Sequence, residues 1–534
     1  MMKDSNESKK RDRLLILLIL LAAFIMYYYS AALPQPSNDD IYYMGTAYYT
    51  SMGKTLEFDA FPFSAAYGIV LPLAFLYKLF GFNMFIGIYY NIVLSLVAIA
   101  LVYNIAQQYS RHGGVIAAFI FAFMPATIGV SNTITPDMFV LVMALLSLLA
   151  FHSAKRHSNI ALYYTLSGLF AFVSTFGNAV GYMFLLVLFV YAVLESLKQH
   201  SGKIFGFTFL GIMIGFVLGM AISWYMSNGL YISEGLVRYP YLFSTYYLYL
   251  FYLHTSGNPP SPFNINPLTL IYGVLLLPTK YISSNVVTQS EWPYAYGILL
   301  YLFLFTIVYA ARKKLIGIYR YMLSLASSIF IMQLIVMLVV VSGQGFFEYF
   351  RFELLITAPL SIFVGSVLSD YAFARSGRRK AAARPRRSRW RTRLTVVVLI
   401  LMLVAVTDFY FGYMYSIKNT YTTNMLYGTI SELSMNLTHI VGPTSTIYTP
   451  YDLPPFVSGR LDIMFYSSMY GVNPGRFALL GNNCFSIPAG SYIIYPGNTT
   501  VLDNFSKACN AQLLYNTTET NLVPYVYGVF EAKA

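Results

Sequence analysis

Long apolar runs alternate with short polar segments along most of this chain. An α-helix needs about 20 mainly apolar residues to cross the hydrocarbon core of a bilayer. By that measure the sequence predicts about eleven transmembrane helices, and the predicted fold class is an all-α polytopic membrane protein. The predicted spans are residues 14–33, 83–108, 114–131, 137–154, 160–177, 179–194, 204–226, 294–311, 321–342, 353–370 and 394–413.

Charged residues are scarce and lie mostly between the apolar runs. The chain is 57% hydrophobic and 10% charged, whereas a soluble domain carries about 25% charged residues. The net charge of +13 comes from basic residues in alternate short loops, most densely in the arginine-rich segment 370–393. This is the positive-inside pattern of membrane proteins, and such loops attract membrane lipids with anionic headgroups. We therefore expect no nucleic-acid partner.

The same charges predict the orientation of the chain. Basic residues at positions 9–13 precede the first span and place the N-terminus in the cytoplasm. The first apolar run is longer than the 7–15-residue core of a signal peptide, so we expect a retained helix. The alternative is cleavage near residues 30–32. An odd number of spans places the C-terminal tail outside the cell membrane.

The tail from residue 415 onward has the composition of an exported domain. Runs such as STIYTPY and SYIIYP, separated by turn residues, predict strands. N-glycosylation sequons and cysteines both suit an exported domain, and a Cys484–Cys509 disulfide is predicted, with two free thiols as the alternative. We expect a membrane domain over residues 1–414, with external loops 34–82 and 227–293, and an extracytoplasmic α/β or β-rich domain over 415–534. The sequons lie at Asn436, Asn498, Asn504 and Asn516.

The first external loop contains two features that a plain connection would lack. Asp39 and Asp40 follow the first span directly, where carboxylates near hydrocarbon are costly and mark a functional site. They suit a general base, or ligands of a divalent cation such as Mg or Mn. The alternative is that both only stabilise the start of a helix. Further on, GIVLPLAFLYKLFG is too short to span and predicts an interfacial or re-entrant helix.

Other external charges are candidates for binding a substrate. Asp137 begins the fourth predicted span directly after a proline, so it is either a site residue or a helix-start charge. Lys78, Arg238 and Arg351 are basic residues on the side that the topology rule keeps poor in positive charge. They suit a phosphate at headgroup depth, and the alternative is ordinary contact with lipid headgroups.

Three stretches of the chain, NDDIYYMGTAYYTSMGK, FMPATIGVSNTITPDMFVLVMALL and YFRFELLITAPLSIF, contain motifs at the ends of predicted spans. Together they resemble a known family, the GT-C membrane glycosyltransferases. The similarity is to the group that includes protein O-mannosyltransferases and the aminoarabinose transferase of lipid A. NDDIYYMGTAYYTSMGK resembles the acidic-pair motif of the first external loop, with Asp39 and Asp40 in the acidic positions. FMPATIGVSNTITPDMFVLVMALL resembles a later span junction with its Pro-Asp pair. YFRFELLITAPLSIF resembles a late arginine-aromatic span.

The resemblance implies transfer of one sugar from a polyprenyl-phosphate donor to a protein, lipid or glycan acceptor on the outer face, with inversion. Asp39 or Asp40 would activate the acceptor or organise a metal, and the three basic residues would bind the leaving phosphate. The pair here is Asp-Asp where many relatives have Asp-Glu, which leaves open which one is catalytic. No W-W-D-x-G motif is present, which disfavours oligosaccharide transfer to asparagine.

Two other function classes compete with an enzyme. A transporter or lipid flippase would place ionisable residues near the bilayer midplane, whereas the charges of this chain cluster at span ends and in loops. A non-catalytic membrane scaffold with an external binding domain would tolerate loss of both aspartates. No Walker loop, G-x-S-x-G elbow or zinc-spaced Cys/His cluster occurs in the sequence.

Overall fold

The structure is a computed structural model of the full chain. It describes fifteen stretches, and every structural statement below refers to these residues: 2–29, 39–53, 66–83, 85–110, 112–131, 133–154, 157–226, 299–315, 354–373, 395–402, 428–450, 477–480, 487–497, 499–516 and 526–533.

Helices make up nearly all of the described chain before the tail. A 3₁₀ turn, Ser174–Phe176, lies between two of these helices. In chain order the helices are α1 (Met2–Tyr29), α2 (Asp39–Ser51), α3 (Tyr67–Phe80), α4 (Phe85–Tyr109), α5 (Gly113–Ala122), α6 (Pro125–Ser131), α7 (Asp137–Ser153), α8 (Ile160–Val173), α9 (Ala179–Lys198), α10 (Gly202–Met226), α11 (Leu299–Arg312) and α12 (Leu354–Phe373).

Among the described residues, five helical segments are long and apolar enough to cross a membrane. The chain is accordingly an integral membrane protein. The count of about eleven spans and the orientation of the termini stay predictions, because the predicted span 321–342 lies outside the described residues. The five segments are Lys10–Tyr29, Phe85–Tyr109, Gly181–Lys198, Gly202–Ile222 and Leu354–Phe373.

One predicted span is wrong as a continuous helix. The apolar run 114–131 is divided into α5 and α6 at residues 123–124. Pro125 begins α6, and a proline has no backbone N–H to continue the hydrogen bonds of the preceding helix. The break therefore follows from backbone chemistry, although the hydrophobic pattern alone runs straight through it.

Helices α8 and α10 make the closest helix contact among the described elements. A Cβ added at Gly211 of α10 would lie 1.9 Å from the carbonyl oxygen of Thr165, inside the van der Waals limit. The two backbones approach this closely only because the glycine has no side chain, as is common between membrane helices. On its other side α8 is tied to α7, because Ser147 donates to the carbonyl of Ser167 at 2.8 Å.

Helix α12 is the most enclosed of the five membrane-length segments. Every residue from 354 to 369 is buried. It packs against α5 and α11, and Phe363 lies 5.8 Å from Phe303 of α11 between ring centroids. At its end, Ser369 accepts a hydrogen bond of 2.8 Å from Ser110, just before α5.

The described residues divide into two compact units, and each is treated by itself. The first unit holds residues 1–31, 65–69 and 89–414, and the second holds 32–64, 70–88 and 415–534. In the tail, a five-stranded mixed sheet has the order β2-β1-β3-β5-β4, parallel from β2 to β3 and antiparallel from β3 to β4. The tail elements are α13 (Gly428–Ile440), β1 (Ile447–Pro450), β2 (Phe477–Leu480), β3 (Tyr492–Gly497), α14 (Thr499–Ala508), β4 (Ala511–Asn516) and β5 (Val526–Ala532).

The core of the tail lies between this sheet and α14. Ile493, Leu502 and Phe530 are almost completely buried there. Phe505 of α14 stacks on Tyr495 of β3 at 4.1 Å between ring centroids. The apolar side of α14 therefore covers the sheet, and the two runs that the sequence pattern marks as strands lie in β1 and β3.

Candidate active site

Asp137 is the first residue of α7 and is buried, with 5% of its surface exposed. Pro136 precedes it at the N-cap position. A carboxylate at the N-terminus of a helix is stabilised by the unpaired backbone N–H groups and the positive end of the helix dipole. The helix start explains why a charge is tolerated here, but it does not explain the side-chain contacts that surround it.

Asn178 donates a hydrogen bond from its Nδ2 amide to Oδ1 of Asp137. It follows the 3₁₀ turn Ser174–Phe176, where Ser174 donates to the carbonyl of Ala171 at 2.6 Å and Thr175 to that of Phe172 at 2.7 Å. These bonds fix the backbone just before Asn178. The amide therefore reaches the carboxylate from a turn that is itself held in place.

Gly177 lets this turn approach the start of α7. A Cβ at Gly177 would lie 2.3 Å from Cγ2 of Val140 and 3.2 Å from the carbonyl oxygen of Pro136. Any larger residue would have to push the turn away from α7. The short contact between Asn178 and Asp137 thus depends on a glycine at the preceding position.

Asn91 of α4 holds the segment that leads into Asp137. Its Nδ2 amide donates to the carbonyl of Thr135 at 2.9 Å and also to that of Thr133. The side chain is fully buried, and its Oδ1 has no hydrogen-bond partner among the described residues. Both Thr135 and Asp137 are therefore positioned by asparagine amides, one from each side.

The start of α3 lies against the same part of the first unit. Tyr90 donates to the carbonyl of Gly68 at 2.8 Å. The ring of Tyr67 is 6.2 Å from the ring of Phe176 in the 3₁₀ turn. The short helix predicted from GIVLPLAFLYKLFG thus exists as α3, and its first turn packs beside the elements that carry Asn91 and Asn178.

Asp39 and Asp40 are the first two residues of α2, in the second unit. Asp40 is 4% exposed, and Met44 and Ala47 are fully buried on the same helix. The side chain of Asp39 lies outside the described residues. Their position at a helix start suits both the helix-stabilising interpretation and the catalytic one, so a catalytic role stays a prediction.

An aromatic cluster joins the end of α2 to the end of α3. The Phe82 ring lies 5.1 Å from the ring of Tyr48 and 5.1 Å from that of Tyr77. Burial, with a smaller effect from Tyr49, raises the pKa of Tyr48 above its ordinary value. Lys78, in the last turn of α3, is exposed beside this cluster and is available to an anion.

Several of the remaining predicted site residues fall outside the stretches that the structure describes. Arg238, Arg351, Cys484 and Asn498 lie outside the described residues. No group of three or more His, Cys, Asp or Glu side chains that would suit a metal ion occurs in the described stretches. These stretches do not supply a full ligand set for the Mg or Mn ion predicted at Asp39 and Asp40, so the ion stays a prediction.

The tail contains a second carboxylate network. Tyr515 of β4 donates to Oε1 of Glu432 on α13 at 2.6 Å, and Asn436 donates to the Tyr515 hydroxyl at 3.0 Å. Burial, followed by the hydrogen bond and charge of Glu432, raises the pKa of Tyr515 to about 12. This network ties α13 to the sheet.

Three predicted modification positions and one cysteine are described in the tail. The amide of Asn436 already donates both to Tyr515 and to the carbonyl of Glu432. Asn504 is exposed on α14, and Asn516 is exposed at the end of β4. Cys509 is disulfide-bonded; Cys484, its predicted partner, is outside the described residues. Glycosylation stays a prediction at all four sequons.

Sequence reasoning missed Asn91, Asn178 and Gly177. A usable signal existed for Asn91, because an asparagine inside an apolar span is costly unless its amide is hydrogen-bonded. Asn178 follows a glycine in a polar gap between two spans, and nothing local links it to a residue about forty positions earlier. The pairing is a tertiary contact and needs the packed structure.

One stretch of the chain is similar to a known protein family. Residues 68–225 match the sequence model of the family described as dolichyl-phosphate-mannose-protein mannosyltransferase. This stretch contains Asn91, Asp137 and Asn178. No curated protein matches the chain.

The solved structures that are similar to this chain include two that cover most of its length. ArnT from Cupriavidus metallidurans, bound to undecaprenyl phosphate, has a TM-score of 0.53 and 13% identity, covering 96% of this chain and 97% of that chain. The oligosaccharyltransferase AglB from Archaeoglobus fulgidus, in complex with an inhibitory peptide and a dolichol-phosphate, has a TM-score of 0.48 and 13% identity, covering 90% and 69%. The first likeness shows a shared fold. With the family match, it confirms the resemblance inferred from the sequence.

Proposed function

We propose that this chain is a GT-C membrane glycosyltransferase of the type seen in protein O-mannosyltransferases and ArnT. On that premise, it moves one sugar from a polyprenyl-phosphate donor. The acceptor is a protein, a lipid or a glycan on the outer membrane face. The observation that carries the proposal is the family match over residues 68–225.

The proposal of a polyprenyl-phosphate carrier is supported by the lipid phosphates named for the similar proteins. The family description names a dolichyl-phosphate sugar, and ArnT has been crystallised with undecaprenyl phosphate. Both carriers are long polyprenyl chains that end in a phosphate. A membrane-embedded chain with few charged residues suits a substrate whose tail stays in the bilayer.

In the proposed reaction, Asp39 or Asp40 removes a proton from the acceptor hydroxyl as it attacks the anomeric carbon. The new bond joins the acceptor oxygen to that carbon, and the bond from the carbon to the phosphate oxygen breaks. The carrier phosphate leaves with the electron pair. Attack in line with the leaving group inverts the configuration at the anomeric carbon.

The basic side chains have a separate task in this proposal. Negative charge grows on the leaving phosphate, and cations fixed near it lower the energy of the transition state. Lys78 is the described residue proposed for this role, together with Arg238 and Arg351. A divalent cation at Asp39 and Asp40 would supply further positive charge when bound, and no step above depends on it.

The first test compares sugar transfer by the wild type with Asp39→Asn and Asp40→Asn in membranes supplied with labelled polyprenyl-phosphate sugars. Removing a general base costs about 10²- to 10⁴-fold in rate. We expect that loss in one variant, with normal membrane insertion. Asp503→Asn, which changes an exposed aspartate of α14, is the matched control and should keep full activity.

Two outcomes would contradict the proposal at different points. Full transfer by Asp39→Asn, Asp40→Asn and the double variant would remove the acidic pair from the mechanism. Absence of transfer by the wild type with every donor, on protein, lipid and glycan acceptors alike, would instead favour a transporter or a scaffold.

A further inference from the structure

We propose that the groove beside Gly206 on α10 binds one phospholipid of the surrounding bilayer, with an anionic headgroup at Lys203 and an acyl chain along the helix. The groove has a volume of about 420 Å³. It lies on a different surface from the proposed active site, and its occupation does not depend on sugar transfer. The residues that line it all belong to α10 and are Lys203, Gly206, Phe207, Phe209, Leu210 and Met213.

The groove lies on an exposed side of α10. Elsewhere on its surface α10 packs against α8, where Gly211 allows the two backbones to approach closely. It also contacts α9, and the rings of Phe205 and Phe189 lie 5.5 Å apart between centroids. Phe209 and Leu210, which line the groove, are 41% and 49% exposed in the described part of the chain. On a membrane-spanning helix, an apolar side of this kind faces lipid or another helix.

The absence of a side chain at Gly206 creates the depression. A Cβ added there would meet no neighbouring atom within 4 Å among the described residues, whereas one at Gly211 would lie 1.9 Å from the carbonyl oxygen of Thr165. Glycine weakens the interior of a helix relative to alanine. At Gly211 close helix packing explains the glycine. At Gly206 the described helices give no such explanation, and the space beside it is open to a ligand.

An exposed apolar stripe continues from the groove for about the depth of one leaflet. From Gly206 to Val217 the helix rises about 16 Å at 1.5 Å per residue, which is close to half of the roughly 30 Å hydrocarbon core. An acyl chain that begins in the groove therefore has apolar protein surface beside it down to the bilayer midplane. The exposed residues of the stripe are Phe209, Leu210, Met213, Ile214, Val217 and Leu218.

The end of the groove at the membrane surface carries positive charge. Lys203 is exposed and is the second residue of the membrane-length segment Gly202–Ile222. Lys198, in the last turn of α9, is also exposed. The first turn of α10 has no acidic residue, and Glu195 of α9 is buried and accepts a hydrogen bond from Gln199. This excess of positive charge favours an anionic headgroup over a zwitterionic one.

A second copy of this chain fits the groove less well than a lipid does. Two copies in one membrane have the same orientation, so a symmetric contact through Gly206 would bring both Lys203 side chains to the same membrane surface. Each lies within one turn of the contact, and like charges at that separation repel. A phospholipid brings the opposite charge to Lys203, and its flexible chain follows the uneven wall formed by Phe207 and Phe209.

The test measures lipid binding by the purified full chain in detergent, by native mass spectrometry with dioleoyl phosphatidylglycerol and dioleoyl phosphatidylcholine. For the wild type we expect one tightly held phosphatidylglycerol, whose Kd is about fivefold below that of phosphatidylcholine, the effect of one lysine at the membrane surface. Lys203→Gln should remove this preference. Gly206→Leu should abolish binding of both lipids at this site, because the leucine side chain fills the groove.

Two matched variants serve as controls. Lys313→Gln removes an exposed lysine just after α11 and should keep the preference for phosphatidylglycerol. Gly202→Leu adds the same side chain one turn before Gly206, at a glycine that is equally open but does not line the groove, and should keep lipid binding. Phosphatidylglycerol should raise the melting temperature of the wild type and of both controls. It should raise that of Lys203→Gln less and that of Gly206→Leu least.

Three results would overturn the inference. Equal affinity of the wild type for the two lipids would exclude recognition of an anionic headgroup. Preference retained by Lys203→Gln, or lipid retained by Gly206→Leu, would show that the lipid binds elsewhere. A lipid-free dimer of the wild type that Gly206→Leu dissociates would identify a second copy as the occupant. These measurements need no sugar transfer, so they test the groove whether or not the proposed function holds.

Discussion

The two carboxylate networks of this chain use the same kind of hydrogen bond in different surroundings. Asp137 accepts from the amide of Asn178, and Glu432 accepts from the hydroxyl of Tyr515. Both donors are neutral, and both pairs join residues that are distant in the sequence. Asp137, however, is buried at the start of an apolar helix, whereas Glu432 lies on a partly exposed helix that packs on a sheet.

The two networks also differ in what they connect. The Glu432 network is explained by what it connects, because Tyr515 and Asn436 tie α13 to β4. Its partly solvated surroundings make the charge inexpensive. The Asp137 pair connects segments that other bonds already hold, and it keeps a charge where charge is costly. In the proposed function Asp137 is a substrate-binding residue, and that role would give the buried charge a use.

The largest effect that separates the two networks is expected from Gly177→Ala. The new methyl group would overlap Val140 of α7 and displace Asn178 from Asp137. Overpacking of this kind costs about 1–3 kcal/mol, and we expect transfer to fall at least about tenfold along with the melting temperature.

Gly206→Ala is the matched control for this variant. A Cβ at Gly206 of α10 meets no atom within 4 Å, so its stability and activity should match or exceed the wild type. The two variants are compared by transfer assays and by thermal unfolding in detergent. Equal transfer by both would show that the position of the turn does not matter to the reaction.

A smaller effect, limited to stability, is expected from Tyr515→Phe. The change removes the hydroxyl that bonds to Glu432, and a hydrogen bond to a charged group contributes about 1.5–3 kcal/mol, less when it is partly exposed. The unfolding midpoint of the tail should fall by a few degrees, with transfer unchanged. A variant that keeps its stability but loses transfer would reverse the assignment of the two networks.

The smallest effect concerns alkaline pH. The folded state holds the Tyr515 proton more tightly, since its pKa of about 12 exceeds the ordinary value of about 10. The stabilisation is therefore complete below about pH 10 and is lost as the pH rises toward about 12. The melting temperatures of the wild type and Tyr515→Phe should converge over that interval, and a constant difference between them would contradict the raised pKa.

Features that depend on local chemistry were predictable from the sequence. Asp39 and Asp137 each open a helix at the residue where an apolar pattern begins, and α3 occupies the stretch expected to be too short to span. The break before Pro125 could also have been predicted, because a proline ends the hydrogen bonding of the preceding helix. It was not predicted, because the apolar run is long enough to be taken for one continuous span.

Features that depend on distant contacts were not predictable in the same way. Nothing near Asn178 in the sequence points to Asp137, and the need for glycine at position 177 appears only when Val140 lies beside it. Likewise, the Tyr515 hydroxyl and Glu432 are brought together by the packing of α13 on the sheet. The sequence therefore identifies the carboxylates, and packing identifies the residues that hold them.

The enclosure of α12 also constrains how this protein is made. Its neighbours α5 and α11 precede it in the chain. Because residues 354–369 are buried, their packing against the earlier helices can form only after this late segment has been synthesised. A chain truncated before residue 354 would therefore lack the helix against which α5 and α11 pack.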